Sequence, residues 1–325
     1  MRFLSAVAVA SLAVASSVQA QGVPATSQCT GVANDACQQA VDFFRYMAPQ
    51  LGTAFTGGNT TLAQGGSLGG RTLGLIPKFA VSARVNVVMG NIPTFSPTPG
   101  LPASGTATSK SLTTSTGLVP MPGIDVAVGV FKGIPLGVSN VGGVDVLLSA
   151  TYLPKINNTD ITITPDKPLS IGYGLRVGLL QESLVAPGIG FSFLSRKLPM
   201  TTLSTSTTGA SMTVNDLDLS SFAWRLTVSK SLLLFGIAAG VGQDKYDAST
   251  QISATSGVAS VNTPALTSEA TRTNYFADIS MNLFVMKLVG TIGMVSGGDI
   301  KTFNSYDNPA DKSRVYGSVG VRFGL

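Results

Sequence analysis

KFAVSARVNVVM (78–89) sets Phe79, Val81, Ala83, Val85, Val87 and Met89 on one face and Lys78, Ser82, Arg84 and Asn86 on the other. A period of two is a β-strand with two unlike faces. In a soluble sandwich the apolar face points inward. In a membrane barrel it points outward to lipid, and the polar face lines the lumen. The pattern recurs to the end of the chain in stretches of roughly ten to sixteen residues, each ending in a turn or polar loop. It follows a secretory leader, so the barrel is the leading reading.

That leader is residues 1–20: Arg2 is the charged start, Phe3 to Ala15 the apolar core, and Val18-Gln19-Ala20 fits small-x-small cleavage after Ala20. The core is too short to span a membrane, and no later segment offers about 18 uninterrupted apolar residues. This argues against a helical inner-membrane protein. The expected location is the bacterial outer membrane, with its lipid as the partner.

Composition narrows the chemistry. Charged residues are 11% of the chain, against about 25% in soluble domains. Hydrophobic residues make up 44% and stand in alternation, which argues against disorder. The net charge of +5 is modest and no Lys/Arg run exists, so nucleic-acid binding has no support. There is no histidine, which excludes Ser-His and Asp-His hydrolysis and His-ligated metals. Cys29 and Cys37, with seven residues between them, are expected to form a disulfide after export.

Residues 34–51 (NDACQQAVDFFRYMAPQL) stand apart. Asn34 or Asp35 can cap a helix, Ala40, Val41, Phe44, Met47 and Leu51 follow at three- and four-residue steps, and Pro49 should end or kink it. The run TGGNTTLAQGGSLGG (56–70) follows, too Gly-rich to hold a regular element alone. Two readings stand: a periplasmic helix against the base of the barrel, or a plug in its lumen. The chain thus divides into the signal peptide 1–20, an N-terminal segment 21–75 with helix and Gly-rich linker, and a barrel over 76–325.

Ten strands are expected, at 76–90, 121–132, 141–153, 168–181, 188–199, 217–229, 232–246, 270–283, 286–298 and 312–325. Twelve is the alternative, if part of 56–75 also pairs. The connections 91–120, 154–167, 200–216, 247–269 and 299–311 are long, and those between are short. An even strand number with short periplasmic turns and long extracellular loops is the signature of an outer-membrane barrel. The long loops are Ser/Thr/Pro/Gly-rich, and some can continue as hairpins above the membrane. Asn59-Thr60-Thr61 and Asn157-Asn158-Thr159 match a glycosylation sequon, but little speaks for its use here.

Val126, Leu148, Leu175 and Ile279 belong to the apolar, outward set. Tyr152, Trp224, Tyr246, Tyr275 and Phe323 are placed partly near strand ends, as interfacial girdles would be. The lumen-lining set is Arg84, Asp125, Asp145, Arg176, Arg196, Arg225, Asp278, Lys287 and Arg322. Its arginines outnumber its aspartates, giving either a mildly cationic, anion-favouring lumen or Arg–Asp pairs filling a narrow one. Inward glycines such as Gly172, Gly178, Gly190 and Gly320 leave room for a solute, for waters or for the N-terminal helix. An arginine at Ser82 or Ser149 is expected to cost less than one at Val126 or Leu148. Ala-Ala-Gly-Val-Gly (238–242) lies inside a strand and is read as a chance match to a nucleotide loop. Asp299, Asp307 and Asp311 lack EF-hand spacing and read as a solvated loop. No catalytic set, metal site or cofactor is assigned.

RVYGSVGVRFGL (314–325) resembles the terminal targeting strand of bacterial outer-membrane proteins, although Gly324 and Leu325 follow the aromatic Phe323. The mature chain resembles an uncharacterised Gram-negative outer-membrane barrel protein. A helix and a Gly-rich run ahead of the strands are loosely similar to the long-chain fatty-acid transporter family, whose N-terminal segment plugs the lumen; that family's barrel has more strands. The resemblance implies a porin-like transport barrel: narrow passive passage or binding for a small solute, with no chemistry performed on it. The alternative is a structural or surface-recognition barrel acting through its Ser/Thr-rich loops. An oligomer is compatible with either.

Overall fold

The structure, a computed structural model, describes residues 23–72, 76–98, 107–157 and 161–324. The signal-peptide reading, the second sequon and the centre of the loop 95–117 lie outside these residues.

Ten strands close into a ring. They are β1 (Phe79–Pro93), β2 (Thr114–Phe131), β3 (Gly143–Tyr152), β4 (Leu169–Leu180), β5 (Gly188–Lys197), β6 (Ala210–Leu232), β7 (Phe235–Ser256), β8 (Leu266–Leu283), β9 (Met286–Val295) and β10 (Arg314–Gly324). Each pairs antiparallel with its sequence neighbours, and β10 closes on β1 from Tyr316↔Val88 to Gly324↔Ala80. Among the described residues, Arg71–Thr72 and Ile76–Pro77 pair with one another and not with the ring.

The alternation dictates the two faces. Ile171, Tyr173, Ile279 and Val319 are each about two-thirds exposed on the outer wall, while Ser82, Asp125 and Arg176 on the inner wall are each 2% exposed. Short turns gather at one end of the ring, including 233–234 and 284–285; the long connections gather at the other. Several segments expected as loops are strands. β6 and β7, 23 and 22 residues long, far exceed the about 9–11 needed to cross a bilayer. Their far halves carry a side sheet in which Thr201–Thr207 pairs with β6 and Ala259–Asn262 with β7.

Inside the ring lies helix α1 (Asn34–Thr56), every residue of which except Arg45 is buried. It packs against β1, β2, β6, β7 and β8, walls on opposite sides of the lumen. Of the two placements open from sequence, the helix takes the one inside the barrel. Phe43, Phe44, Met47, Leu51 and Phe55 join Val88, Met121, Val214, Leu219 and Ile252 of the wall in one apolar cluster, which places the core inside the loop end of the ring. The helix begins beyond Ala33 with no side-chain cap, so neither Asn34 nor Asp35 caps it. It also runs seven residues past Pro49. Proline removes one backbone donor, but burial on all sides holds the turn. The Thr53 and Thr56 hydroxyls donate to the carbonyls of Pro49 and Gly52 at 2.9 Å each. The Cys29–Cys37 disulfide, Cα–Cα 5.4 Å, ties the incoming chain to the first turns of the helix.

Candidate functional site: the filled lumen

All nine residues of the proposed lumen set lie on the inner side of the wall, with Lys287 only half-buried. Strand register brings opposite charges together. Arg176 and Asp145 are direct cross-strand partners, with Arg176 Nη2 2.7 Å from Asp145 Oδ2. Asp125 receives Arg84 Nε at 2.8 Å and Arg196 Nη2 at 3.5 Å. Arg225 Nη2 meets Asp244 Oδ1 at 2.6 Å. Asp278 accepts the Thr291 hydroxyl at 2.7 Å and the Ala63 backbone N–H at 3.1 Å. Four arginines are therefore paired as in the filled-barrel alternative. Among the described residues Arg322 has no carboxylate partner.

The remaining space is taken by the strap, residues 57–70, which descends from the helix end towards the short-turn end. Arg84 Nη1 donates to the Gly57 carbonyl at 2.8 Å, and the Gly58 N–H donates to the Tyr316 hydroxyl at 2.9 Å. Lower down, the Gly65 N–H donates to Ser229 Oγ at 2.9 Å, and the Leu68 N–H to both oxygens of Asp145 at 3.1 Å. Arg176 donates to the Thr61 hydroxyl, and Arg322 to the Leu62 carbonyl and Gln64 Oε1. Asn59, the first sequon asparagine, is buried here and donates to the Gln64 carbonyl at 3.1 Å.

Some of the inward glycines have their explanation in this contact. A Cβ at Gly129 would stand 2.0 Å from the Gly69 carbonyl oxygen, one at Gly190 2.1 Å from that of Gly65, and one at Gly143 2.2 Å from Ser67 Oγ. Backbone approaches so close that only hydrogen fits. Sequence left this room open to a solute, to waters or to the N-terminal helix; at these positions it holds the strap and not the helix. Higher up, Gly293 makes way for the Tyr316 ring and Gly240 for Phe276. Filling the lumen also reverses one expectation. Ser82 and Ser149 are buried beside the ion pairs, so an arginine at either lacks the water that would have made it cheap.

At the loop end the helix is clasped. Asp42 accepts the backbone N–H of Phe303 at 2.9 Å, and from Asn304 the backbone N–H at 2.8 Å and Nδ2 at 2.7 Å. Burial nonetheless pushes its carboxyl above the ordinary value, against the pull of those donors. Asp35 accepts the Thr98 N–H at 2.7 Å and pairs with Lys110 Nζ at 2.6 Å. Gln50 exchanges two hydrogen bonds with the backbone of Asn91, at 2.8 and 2.9 Å, as a strand partner would. The Thr114 hydroxyl holds the Asp307 carboxyl below its ordinary value. Asp299 sits by Lys301, and among the described residues no group of His, Cys, Asp or Glu is arranged for a metal.

Sequence reasoning missed Asp244, Arg272, Arg314, Tyr316 and Asn274, all buried and inward. It also set Tyr246 in an interfacial girdle. That residue is 1% exposed, and its hydroxyl lies 3.0 Å from Thr56 Oγ1. Parity carried the signal: Gly236, Gly242, Asp244 and Tyr246 are all even positions of β7.

No protein-family model and no curated protein sequence matches the chain. Among solved structures it is similar to the translocator domain of autotransporter NalP from Neisseria meningitidis, at 10% identity and a TM-score of 0.37, over 90% of this chain and 99% of that one. It is similar to the transport unit of autotransporter AIDA-I from Escherichia coli, at 8% identity and a TM-score of 0.35, over 90% and 99%. It is similar also to the toluene transporter TodX of Pseudomonas putida, at 10% identity and a TM-score of 0.30, over 82% and 98%. Likenesses this distant carry no argument about what this chain does.

Proposed function

We propose that this chain is a bacterial outer-membrane barrel, closed at rest by its own N-terminal segment, that passes or binds a small solute when the strap 57–70 moves aside. The apolar outer wall supports the membrane setting, as does a ring with no free strand edge to expose to lipid. The loop end then faces outward and the short-turn end the periplasm. No chemistry on the solute is part of this reading. A lumen plugged by the N-terminal segment is also what the resemblance to the long-chain fatty-acid transporter family implies.

One observation carries the reading: the two parts of the plug are fixed by unlike means. The helix is buried in the one large apolar core, whereas the strap has only the small apolar contacts of Leu62, Ala63 and Leu68 and otherwise meets the wall through polar side chains and bare glycine backbone. Polar contacts can be exchanged for water at little net cost; apolar ones cannot. Planar-bilayer recording tests this. The wild type should be closed or conduct rarely, and deletion of 59–68 should open a steady current. A strap deletion that folds and stays silent would sink the reading. The second reading, surface recognition, is favoured by the β6–β7 hairpin and its side sheet, which reach well beyond the apolar belt. Silence of the strap deletion together with binding lost on trimming that hairpin would select it.

A further inference from the structure

The short-turn end of the barrel holds a cavity of about 310 Å³, lined by Leu68 of the strap, Lys78, Lys287, Arg322 and the β8–β9 turn with Phe284 and Val285. Three cations reach it from the start of β1, from β9 and from β10. The short turns at this end carry one carboxylate, Glu182. It is already engaged by the Ser229 hydroxyl at 2.9 Å and by the Ser231 backbone N–H. Among the described residues the Lys78 ammonium makes no ion pair or hydrogen bond. Lys287 Nζ makes one, to Ser231 Oγ at 3.1 Å, leaving donors to spare. Phe284 and Val285 are fully to largely exposed at the turn tip, directly beside these charges.

We propose that this cavity binds a phosphate group carried on an apolar or flexible remainder. Lys78 and Lys287 bring donors from separate strands, and Arg322, whose Nη1 and Nη2 already donate to the Leu62 carbonyl and Gln64 Oε1, adds its charge; such a set suits the several oxygens of a tetrahedral phosphate better than the two of a carboxylate. Lysine serves phosphate as a compact point charge, and the volume lies at the lower edge of small-ligand sites. Like charges held together in a partly closed site repel one another, and a bound dianion or phosphodiester removes that repulsion. The apolar turn tip takes the remainder of the ligand. Two sources share this chemistry: a phospholipid headgroup of the periplasmic leaflet, or a free phosphate ester entering from the periplasm. The site is described with the strap in place and requires no passage through the barrel.

Calorimetric titration of the full barrel, in a non-ionic detergent free of phosphate, tests it. The titrants are inorganic phosphate, the soluble lipid dihexanoylphosphatidylglycerol, and acetate. At least one phosphate titrant should bind, and acetate should bind more weakly. Binding of the lipid alone assigns the headgroup; comparable binding of inorganic phosphate assigns the free ester. Lys78→Gln should weaken binding about tenfold, the scale of one charge-assisted hydrogen bond, and Lys78→Glu further. Among the described residues the Lys78 ammonium has no partner to lose, so its variants should keep the fold. Should Lys78→Glu not refold, Lys287→Gln and the fall of affinity with added salt replace it. No heat with either phosphate titrant, acetate binding as tightly as phosphate, or unchanged affinity in the Lys78 variants would overturn the proposal. Conductance plays no part in the readout, so failure here and failure of the passage reading are separable.

Discussion

Asp145 shows how much one inward residue carries. It pairs with Arg176 and caps the strap at Leu68, with none of its surface exposed. Asp145→Asn should destabilise the barrel by about 3–5 kcal/mol, because it leaves a buried arginine unpaired. Unfolding curves in lipid or detergent measure this, and the double change with Arg176→Gln should recover part of the loss. On the outer wall, Ile279→Arg should cost about 2–4 kcal/mol near the bilayer midplane. Ser149→Arg should cost as much or more, since it adds a cation beside buried Arg196. A Ser149→Arg variant near wild-type stability would mean that the lumen holds water. Gly190→Val drives a side chain into the Gly65 carbonyl and should leave the ring intact while freeing the strap to protease and to current. The alternation in the sequence was enough to place residues such as Arg84 and Asp145, because parity within a strand is a local property. What each one touches was not readable, since Leu68 and Asp145 meet only through the fold.

The elements show where local rules yielded. Strand β6 was expected to start at 217 and begins at 210. The ladder slips between Asn215 and Asp218, and Asp216 sits at φ +49°. Met212 and Val214 are inward before the slip, Leu217 and Leu219 after it. The bulge reverses parity, so a single period of two cannot be followed across it, and the Ser/Thr-rich stretch above reads as loop. The helix was legible from its spacing, but its end was not. Pro49 is a stop signal for a helix in water, and this helix has wall on every side. Its hold should be that of a core element. Phe44→Ala or Phe55→Ala should each cost about 3–5 kcal/mol, read from the unfolding midpoint. Alanine at Gln64, which bonds to Arg322 at a strap turn, should cost much less.

For the whole molecule, the ring count, the sorting of short turns from long connections and the single N-terminal helix were all present in the sequence, since each follows from periodicity and length. The filling of the lumen was not, because a helix buried on all sides is ordinarily apolar all round, whereas this one buries Asp35, Gln38, Asp42 and Gln50 and so carries the pattern of a surface helix. The closure also has a consequence for assembly order. The seam joins the first strand to the last, and the plug precedes the first. A plug entering a finished ring would have to thread upward with the Cys29–Cys37 loop as a knot at its leading end. The alternative is that the sheet wraps around a waiting helix and locks only when β10 arrives. A chain ending before 312 should then leave the helix open to protease, while the full chain protects it from the moment the seam forms. In that order the enclosed segment acts as the mandrel on which the wall is wound.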